Sequence, residues 1–218
     1  MSPTRPVSGR GGSSSPGPPP SKLISPTVGA GSIPATDLQR IVVLGTSGSG
    51  KTYLAQRLAG LLDLRCVELD ALHWAPDWVE VDNVTFRRRV AEAAAGDRWV
   101  VDGNYSVVRD LVWPRAQTVI WLNYSFALVF GRVLRRTLGR VFRREVLFSG
   151  NRESLRMAFC SRDSILLWVL QTYGKNRRRY GEMARQSPYP HLRWVEFRRP
   201  REVEDFLSSF SAGSAAWP

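Results

Sequence analysis

Eight consecutive residues, Gly45–Thr52, match the pattern G-x-x-x-x-G-K-[ST] in full. Their glycines permit positive φ angles and a close approach of the backbone, so that successive N–H groups can point at phosphate oxygens. The side chain of Lys51 can reach the β- and γ-phosphates of a nucleoside triphosphate, and the hydroxyl of Thr52 can ligate Mg²⁺. The segment therefore predicts a loop that binds ATP and Mg²⁺ through Gly45, Thr46, Ser47, Gly48, Ser49, Gly50, Lys51 and Thr52.

Two aspartates follow short apolar segments that are typical of strands. Asp102 comes directly after Trp99-Val100-Val101, where a carboxylate can hold the Mg²⁺ shell beside Thr52, directly or through water. Asp70 comes after the segment 66–69, and the carboxyl ends of parallel strands line the ligand crevice. We predict that Asp102 is a metal ligand and that Asp70 is catalytic, orienting an acceptor hydroxyl or taking its proton. The alternatives are a turn-forming role for Asp102 and a capping role for Asp70.

A stripe of arginines runs along the predicted helix 126–142. Arg132, Arg136, Arg140 and Arg143 recur at helical spacing and therefore share one face. The helix follows a strand that should end near the phosphate loop, so the first arginines can reach a transferred phosphoryl group. We predict catalytic roles for Arg132 and Arg136, and for Arg152, which can close over the other side. A solvated basic face is the alternative.

Strand-like and helix-like segments alternate between residues 37 and 210. This order predicts an α/β fold in which a parallel five-stranded sheet carries helices on both faces. The predicted strands are 41–44, 66–69, 99–101, 118–122 and 192–197. The predicted helices are 51–62, 84–95, 126–142, 153–173 and 201–210.

The two ends of the chain differ in composition from this region. Residues 1–36 contain eight of the 14 prolines, together with much Gly and Ser, and such a segment buries too little apolar surface to offset its ordering entropy. We predict a disordered tail over 1–36, a single domain over 37–210 and a loose tail over 211–218. The chain has neither the apolar core of a signal peptide nor an apolar run long enough for a membrane helix, so we expect a cytoplasmic protein with no membrane partner.

The net charge and the small number of cysteines and histidines exclude some classes of protein and favour others. The chain has 31 Lys+Arg against 19 Asp+Glu, a net charge of +12, while two cysteines and two histidines exclude a disulfide framework and a zinc cluster. The excess lies in 127–200, which holds 17 basic and 5 acidic residues. A surface of this sign can meet the phosphates of a nucleotide or of nucleic acid. The densest cluster, 175–180, lacks any accompanying nucleic-acid-binding motif, and a charged helix end is its alternative.

Three segments together resemble a known family. They are Gly45–Thr52, then Glu68-Leu69-Asp70-Ala71-Leu72-His73-Trp74, and then Trp99-Val100-Val101-Asp102-Gly103-Asn104-Tyr105. They resemble the adenylate-kinase-related P-loop proteins often labelled DNA topology modulation (FlaR-like) proteins. The resemblance implies a P-loop NTPase fold like that of nucleoside-monophosphate kinases, ATP binding and an arginine-rich helical lid at about 132–180. In the adenylate-kinase-like proteins two arginines one turn apart open that lid, and Arg132 and Arg136 match them.

Two departures accompany the resemblance. Nucleoside-monophosphate kinases usually continue from the Asp-Gly pair to Pro-Arg, whereas this chain continues with Asn104-Tyr105-Ser106 and has its next arginine at Arg109. The family commonly has Asp-Tyr-Pro after the fourth strand, whereas this chain has Asn123-Tyr124-Ser125. If the family's aspartate helps to order Mg²⁺ or a lid arginine, Asn123 weakens that role.

These observations favour a kinase that transfers a γ-phosphoryl group from ATP to a nucleotide or another small metabolite. The expected ligands are a nucleoside triphosphate, Mg²⁺ and a small-molecule acceptor. Two alternatives stay open, a nucleic-acid-associated P-loop NTPase and a nucleotide-binding protein without chemistry. The acceptor, the nucleobase preference and the oligomeric state are not fixed by the sequence.

Overall fold

The computed structural model describes residues 23–24, 33–76, 79–143, 165–186, 188–211 and 216–217. Its strands and helices alternate along most of the chain. The strands are β1 (Leu23–Ile24), β2 (Ile33–Pro34), β3 (Arg40–Gly45), β4 (Arg65–Glu68), β5 (Trp99–Asp102), β6 (Thr118–Leu122), β7 (Arg193–Phe197) and β8 (Ala216–Trp217). The helices are α1 (Lys51–Leu62), α2 (Leu69–His73), α3 (Asn83–Ala93), α4 (Arg109–Val112), α5 (Phe126–Arg143), α6 (Ile165–Arg185) and α7 (Pro200–Ser211).

The main sheet has the order β1-β7-β6-β3-β5-β4, and every neighbouring pair in it is parallel. Its central strands are apolar and buried because helices cover both faces. On one face α1, α5 and α7 pack against Ile41 and Val43 of β3. On the other face α3 and the end of α6 pack against Val42 and Leu44. A parallel sheet with a phosphate loop after its central strand is the P-loop NTPase fold, as predicted.

The strand order places the predicted site at one edge of the sheet. Strand β3 lies between β5 and β6. From β3 the chain continues to β4 and β5 on one side, and it then crosses to β6 on the other side of β3. A crevice opens at such a switch point, outside the carboxyl ends of the strands. The phosphate loop follows β3, and Asp102 at the end of β5 lies in register with Val43 of β3. The fold therefore brings the loop and this carboxylate together.

The predicted elements match observed ones to within one or two residues at each end, except for the helix predicted over 153–173, and the short helices α2 and α4 were not predicted. The helix predicted over 84–95 spans Asn83–Ala93, and the Asp82 carboxylate caps it by accepting from the Thr85 N–H at 3.0 Å. The helix predicted over 153–173 is described only from Ile165 and continues to Arg185. Asp70 does not end a strand: β4 stops at Glu68, and Asp70 is the second residue of α2.

The described parts of the two chain ends depart from the predicted tails. The pairing of β1 with β7 adds a sixth strand to the predicted five, and β2 pairs with β8 in a separate antiparallel sheet. Ile33 is only 1% exposed and joins the core on the α1 face, ahead of the predicted boundary at residue 37. Pro-rich composition predicts disorder on average, whereas the burial of Ile33 depends on the contacts of one apolar side chain. None of the helices that the structure describes is long and apolar enough to cross a membrane.

We predict that Ile33→Ala lowers the free energy of unfolding by about 2–4 kcal/mol, because it removes a buried side chain and leaves a cavity. Urea denaturation measures the change. The control is Val84→Ala on α3, where the side chain is 79% exposed and a loss below about 0.5 kcal/mol is expected. An equally small loss for Ile33→Ala would show that the segment before residue 37 contributes nothing to the core.

Candidate functional site

The phosphate loop connects β3 to α1 and has the backbone that its sequence requires. Gly48 and Gly50 have φ angles of 81° and 93°, in the left-handed region that favours glycine. The Ser49 N–H donates to the Thr46 carbonyl at 3.1 Å, which closes the turn. The Lys51 ammonium donates to the same carbonyl at 3.4 Å. The lysine is thus folded over the loop, where it can meet phosphate oxygens.

Helix α5 packs directly on this loop. A Cβ atom at Gly48 would collide with the side chain of Val133, and one at Gly50 would approach the guanidinium of Arg132. The Arg132 Nη1 donates to the Ser49 carbonyl at 3.3 Å, and its guanidinium carbon lies 5.4 Å from the centre of the Tyr124 ring. The predicted arginine therefore lies at the loop.

Arg136 lies next to Arg132 in the wall of a cavity beside the loop. The cavity measures about 420 Å³ and lies between the loop, α5 and the start of α7. It is lined by Gly48, Ser49, Gly50, Tyr53, Leu122, Tyr124, Arg132, Arg136, Pro200, Val203 and Glu204. The side chains of Arg140 and Arg143 are not among those described, and Arg152 lies outside the described residues. Of the three predicted catalytic arginines, two therefore line one cavity and the third has no described position.

The side chain of Asp102 contacts the last residue of the loop motif. The Thr52 hydroxyl donates to Asp102 Oδ2 at 2.5 Å, which confirms the proximity expected from the sequence. Asp102 is only 7% exposed, and its Oδ1 atom has no hydrogen-bond partner among the residues that the structure describes. Burial raises the pKa of the Asp102 carboxyl, and the nearby Lys51 charge opposes that rise.

This pair fits a divalent cation. Mg²⁺ prefers oxygen ligands and is usually held by one or two side chains together with substrate phosphates and water. Asp102 offers a buried carboxylate oxygen without a partner, and Thr52 offers a hydroxyl beside it. Among the residues described, no group of three or more His, Cys, Asp or Glu side chains has the geometry of a metal site. The two residues therefore suit a cation that arrives with the phosphates of a nucleotide.

Two further carboxylates lie near Asp102. Glu68 is its register partner on β4, and both Glu68 and Asp70 raise the pKa of Asp102 through their negative charge. The Glu68 carboxylate accepts from the Gln56 amide of α1 at 2.8 Å. Glu68 was not among the predicted residues, and the register of β4 against β5 is the signal that locates it. The crevice thus concentrates negative charge opposite the loop and Lys51.

Asp70 is held in place by a tyrosine of the next strand connection. The Tyr105 hydroxyl donates to Asp70 Oδ1 at 2.6 Å, and the Trp74 side chain donates to the Tyr105 oxygen. Burial and the Asp70 charge both raise the pKa of Tyr105, so this hydroxyl stays protonated and stays a donor. The carboxylate itself is exposed. Asp70 therefore presents an oriented carboxylate to the crevice, and Tyr105 is a site residue that the sequence analysis did not assign.

His73 belongs to the interior rather than to a metal site. It is 8% exposed, and its ring centroid lies 4.7–5.1 Å from those of Trp74, Phe86 and Tyr105. This aromatic cluster supports Tyr105 from behind. The neighbouring Asp77 and Trp78 lie outside the described residues.

Asn123, where the resembling family has an aspartate, binds a buried glutamate. The Asn123 amide donates to Glu196 Oε1 at 2.5 Å, and Glu196 on β7 is 1% exposed. The Arg198 guanidinium also donates to Glu196, at 3.0 and 3.1 Å. An aspartate at position 123 would place a second negative charge against Glu196. The amide is thus matched to its partner and holds the end of β6 against β7.

No protein-family model matches the chain, and no curated protein matches it. Solved structures that are similar include a sugar kinase from Janibacter sp. HTCC2649, with 21% identity, a TM-score of 0.45 and coverage of 81% of this chain and 96% of that one. A gluconokinase from Sinorhizobium meliloti 1021 has 19% identity, a TM-score of 0.45 and coverage of 81% and 94%. A shikimate kinase from Acinetobacter baumannii in complex with shikimate has 16% identity, a TM-score of 0.46 and coverage of 80% and 91%. The resemblance to FlaR-like proteins stays a prediction.

We predict that Asp102→Asn raises the melting temperature of the ligand-free protein at pH 7. Burial raises the pKa of this carboxyl, so its stabilising contribution is complete below the ordinary carboxyl pKa and is lost as the pH rises through the higher folded value. Asparagine keeps an acceptor for Thr52 and carries no charge. The melting temperature should rise by about 2–4 °C for each kcal/mol of electrostatic destabilisation that is removed, and the rise should become smaller toward pH 4.

Asp110→Asn is the control for this change. The Arg87 guanidinium donates to Asp110 at 2.7 Å and lowers the pKa of that carboxyl, so removing its charge should slightly lower the melting temperature. Differential scanning calorimetry between pH 4 and pH 7 measures both variants. A lower melting temperature for Asp102→Asn at pH 7 would contradict the account of Asp102.

Proposed function

We propose that the protein is an ATP- and Mg²⁺-dependent kinase that transfers the γ-phosphoryl group to a hydroxyl of a small molecule. The observation that carries the proposal is the contact between Thr52 and Asp102 beside the phosphate loop, with the oriented Asp70 carboxylate near Asp102. Phosphate-binding, metal-binding and acceptor-orienting groups thus meet at one edge of the sheet. The proposal includes membership of the FlaR-like family and a cytoplasmic location, where ATP is supplied.

In this proposal the loop binds the triphosphate. Backbone N–H groups of 45–52 and the start of α1 attract phosphate oxygens, and the Lys51 ammonium turns from the Thr46 carbonyl to the β- and γ-phosphates. The nucleoside extends into the cavity of about 420 Å³. Pro200 and Val203 give part of that cavity an apolar lining, which suits a flat base.

Thr52 and Asp102 are the residues that would hold Mg²⁺. When bound, the ion neutralises charge on the β- and γ-phosphate oxygens. Asp102 Oδ1, which has no partner among the described residues, suits this role, because a buried carboxylate oxygen without a partner costs free energy until a cation or a donor meets it.

Asp70 acts on the acceptor. Its carboxylate accepts the hydrogen bond of the acceptor hydroxyl and takes the proton as the oxygen attacks the γ-phosphorus. The new bond joins that oxygen to the γ-phosphorus, the bond to the bridging β–γ oxygen breaks, and ADP leaves. The hydrogen bond from Tyr105 holds the Asp70 carboxylate in one orientation. A base that is already oriented reacts faster than one that must first be ordered.

Arg132 and Arg136 would neutralise the charge on the transferred group. Both line the cavity beside the loop, and closure of the crevice around the substrates would bring them closer to the γ-phosphate. We retain Arg152 in this role as part of the proposal. Closure would also exclude water and limit hydrolysis of ATP.

A nucleic-acid-associated NTPase is the second candidate, favoured by the basic surface of α6. Lys175, Arg177, Arg178 and Arg179 are all exposed on this helix. Such a surface predicts binding that weakens steeply with salt. It does not explain the tyrosine-oriented Asp70, and we therefore prefer a small acceptor.

An acceptor screen tests the proposal. We expect ATP to ADP turnover with one class among nucleoside monophosphates, nucleosides and hydroxylated metabolites. Lys51→Ala should abolish it, because the triphosphate loses its main cation. Asp70→Asn should lower kcat by about 10²- to 10⁴-fold with little change in ATP affinity.

Asp97→Asn serves as the matched control, since Asp97 is an exposed aspartate that forms ion pairs with Arg40 and Arg115 away from the crevice. Turnover at the wild-type rate is expected for it. If ATP binds and no acceptor accelerates ADP release, the kinase proposal fails. A stimulation of turnover by DNA or RNA would then favour the second candidate.

A further inference from the structure

A second cationic group lies on the connection that follows β5, close in the chain to Tyr105. Arg109, the first residue of α4, donates from Nε and Nη2 to the side-chain amide oxygen Oδ1 of Asn104 at 3.4 and 3.1 Å. Its guanidinium carbon lies 5.1 Å from the centre of the Trp113 ring. Both partners are uncharged. Among the residues that the structure describes, Arg109 forms no ion pair.

An arginine nearby does have a carboxylate partner. Arg87 binds Asp110, the residue next to Arg109, through two contacts of 2.7 Å. Arg109 is half-buried, and the charge that acts on it is that of another arginine, Arg179 of α6. Burial and the Arg179 charge both lower the pKa of Arg109. Two like charges in a partly desolvated place are stabilised by an anion between them.

The position of this pair relative to Asp70 follows from two adjacent residues. Tyr105 donates to Asp70, while Asn104, directly before it, accepts from Arg109 and donates to the hydroxyl of Tyr180 on α6. Arg109 and Tyr105 therefore lie on either side of one short connection after β5. The space enclosed between them is about 10 Å³, which is room for one water-sized group. A larger ligand must therefore extend beyond this space, and Asp70 and Arg179 are both exposed residues.

We propose that Arg109 and Arg179 bind an anionic group of the acceptor, so that the acceptor is a small hydroxylated anion whose hydroxyl meets Asp70. The anionic group is a carboxylate or a phosphate ester, which guanidinium groups recognise by the same paired hydrogen bonds. Phosphoryl transfer to this acceptor rests on the proposed function, whereas binding of the anion does not.

The test separates anion binding from catalysis. Calorimetric titrations use the Lys51→Ala protein, in which the phosphate loop is disabled, with inorganic phosphate and glycerate as probes and glycerol as the uncharged reference. We expect both anions to bind and glycerol not to bind. Adding Arg109→Gln to the Lys51→Ala protein should weaken the binding of both anions by about 10- to 100-fold, which corresponds to the loss of a charged hydrogen bond.

Arg179→Gln is the second variant, since it changes an exposed side chain and leaves the core intact. It should weaken the anions as well, while Arg88→Gln, an exposed arginine paired with Glu92 on α3, should not. Equal affinity in all variants, or no anion binding to the Lys51→Ala protein, would overturn the proposal.

Turnover assays on the protein with Lys51 intact compare anionic and uncharged acceptors in pairs. Glycerate against glycerol tests the carboxylate, and glucose 6-phosphate against glucose tests the phosphate ester. We expect kcat/KM to favour an anionic member by at least about 10-fold, and Arg109→Gln to raise its KM with kcat less affected. Equal use of an uncharged member would also overturn the proposal. If no acceptor turns over, the kinase proposal fails and the titrations alone decide on the anion site.

Discussion

The buried carboxylate of Asp102 is the interaction on which the electrostatics of the whole crevice depend. It lies at the end of a central strand, accepts one hydrogen bond from Thr52 and leaves its second oxygen without a described partner. Glu68 and Asp70 add negative charge nearby, and Lys51 is the cation that opposes them. Such an arrangement costs free energy in the ligand-free protein. In the function that we propose, it becomes favourable when a divalent cation and a triphosphate bring the missing partners. The same carboxylate would then destabilise the ligand-free fold and organise the site once the ligands bind.

The sheet explains why one carboxylate can have this position. Strand β3 lies between β5 and β6, so the loop after β3 has Asp102 on one side and the start of α5 on the other. Helix α5 packs on Gly48 and carries Arg132 to the loop. The connection after β5 then holds both acceptor-side groups, because Tyr105 orients Asp70 and Asn104 binds Arg109. Each face of the crevice is therefore attached to a strand end of the same rigid sheet.

The sequence predicts those parts of the site that depend on local pattern. The loop is eight contiguous residues, and Asp102 follows an apolar run directly, so both need only near neighbours for their assignment. Asp70 was expected at a strand end and lies in α2, since β4 stops at Glu68, yet it still reaches the crevice because the turn is short.

The remaining parts depend on contacts between distant segments. Glu68 is adjacent to Asp102 only through strand register, and the Arg109 surroundings require α6 to pack near α4. Ile33 is hidden in a Pro-rich segment whose average composition predicts disorder, although its own side chain is buried. The place of Asn123 is explained only by Glu196, which lies on the neighbouring strand and far along the chain. Pairings of this kind are decided by packing, which periodicity and composition do not specify.

The central claim is that Thr52 and Asp102 together hold the cation that accompanies ATP. The most direct test is the affinity for ATP with and without Mg²⁺ in the wild type, Thr52→Val, Asp102→Asn and the double variant. The account predicts that Mg²⁺ tightens ATP binding in the wild type, that each single change removes most of that gain, and that the double variant loses little more, because the two side chains act on one ion. Wild-type affinity that is indifferent to Mg²⁺, or a magnesium effect that survives both substitutions, would contradict it.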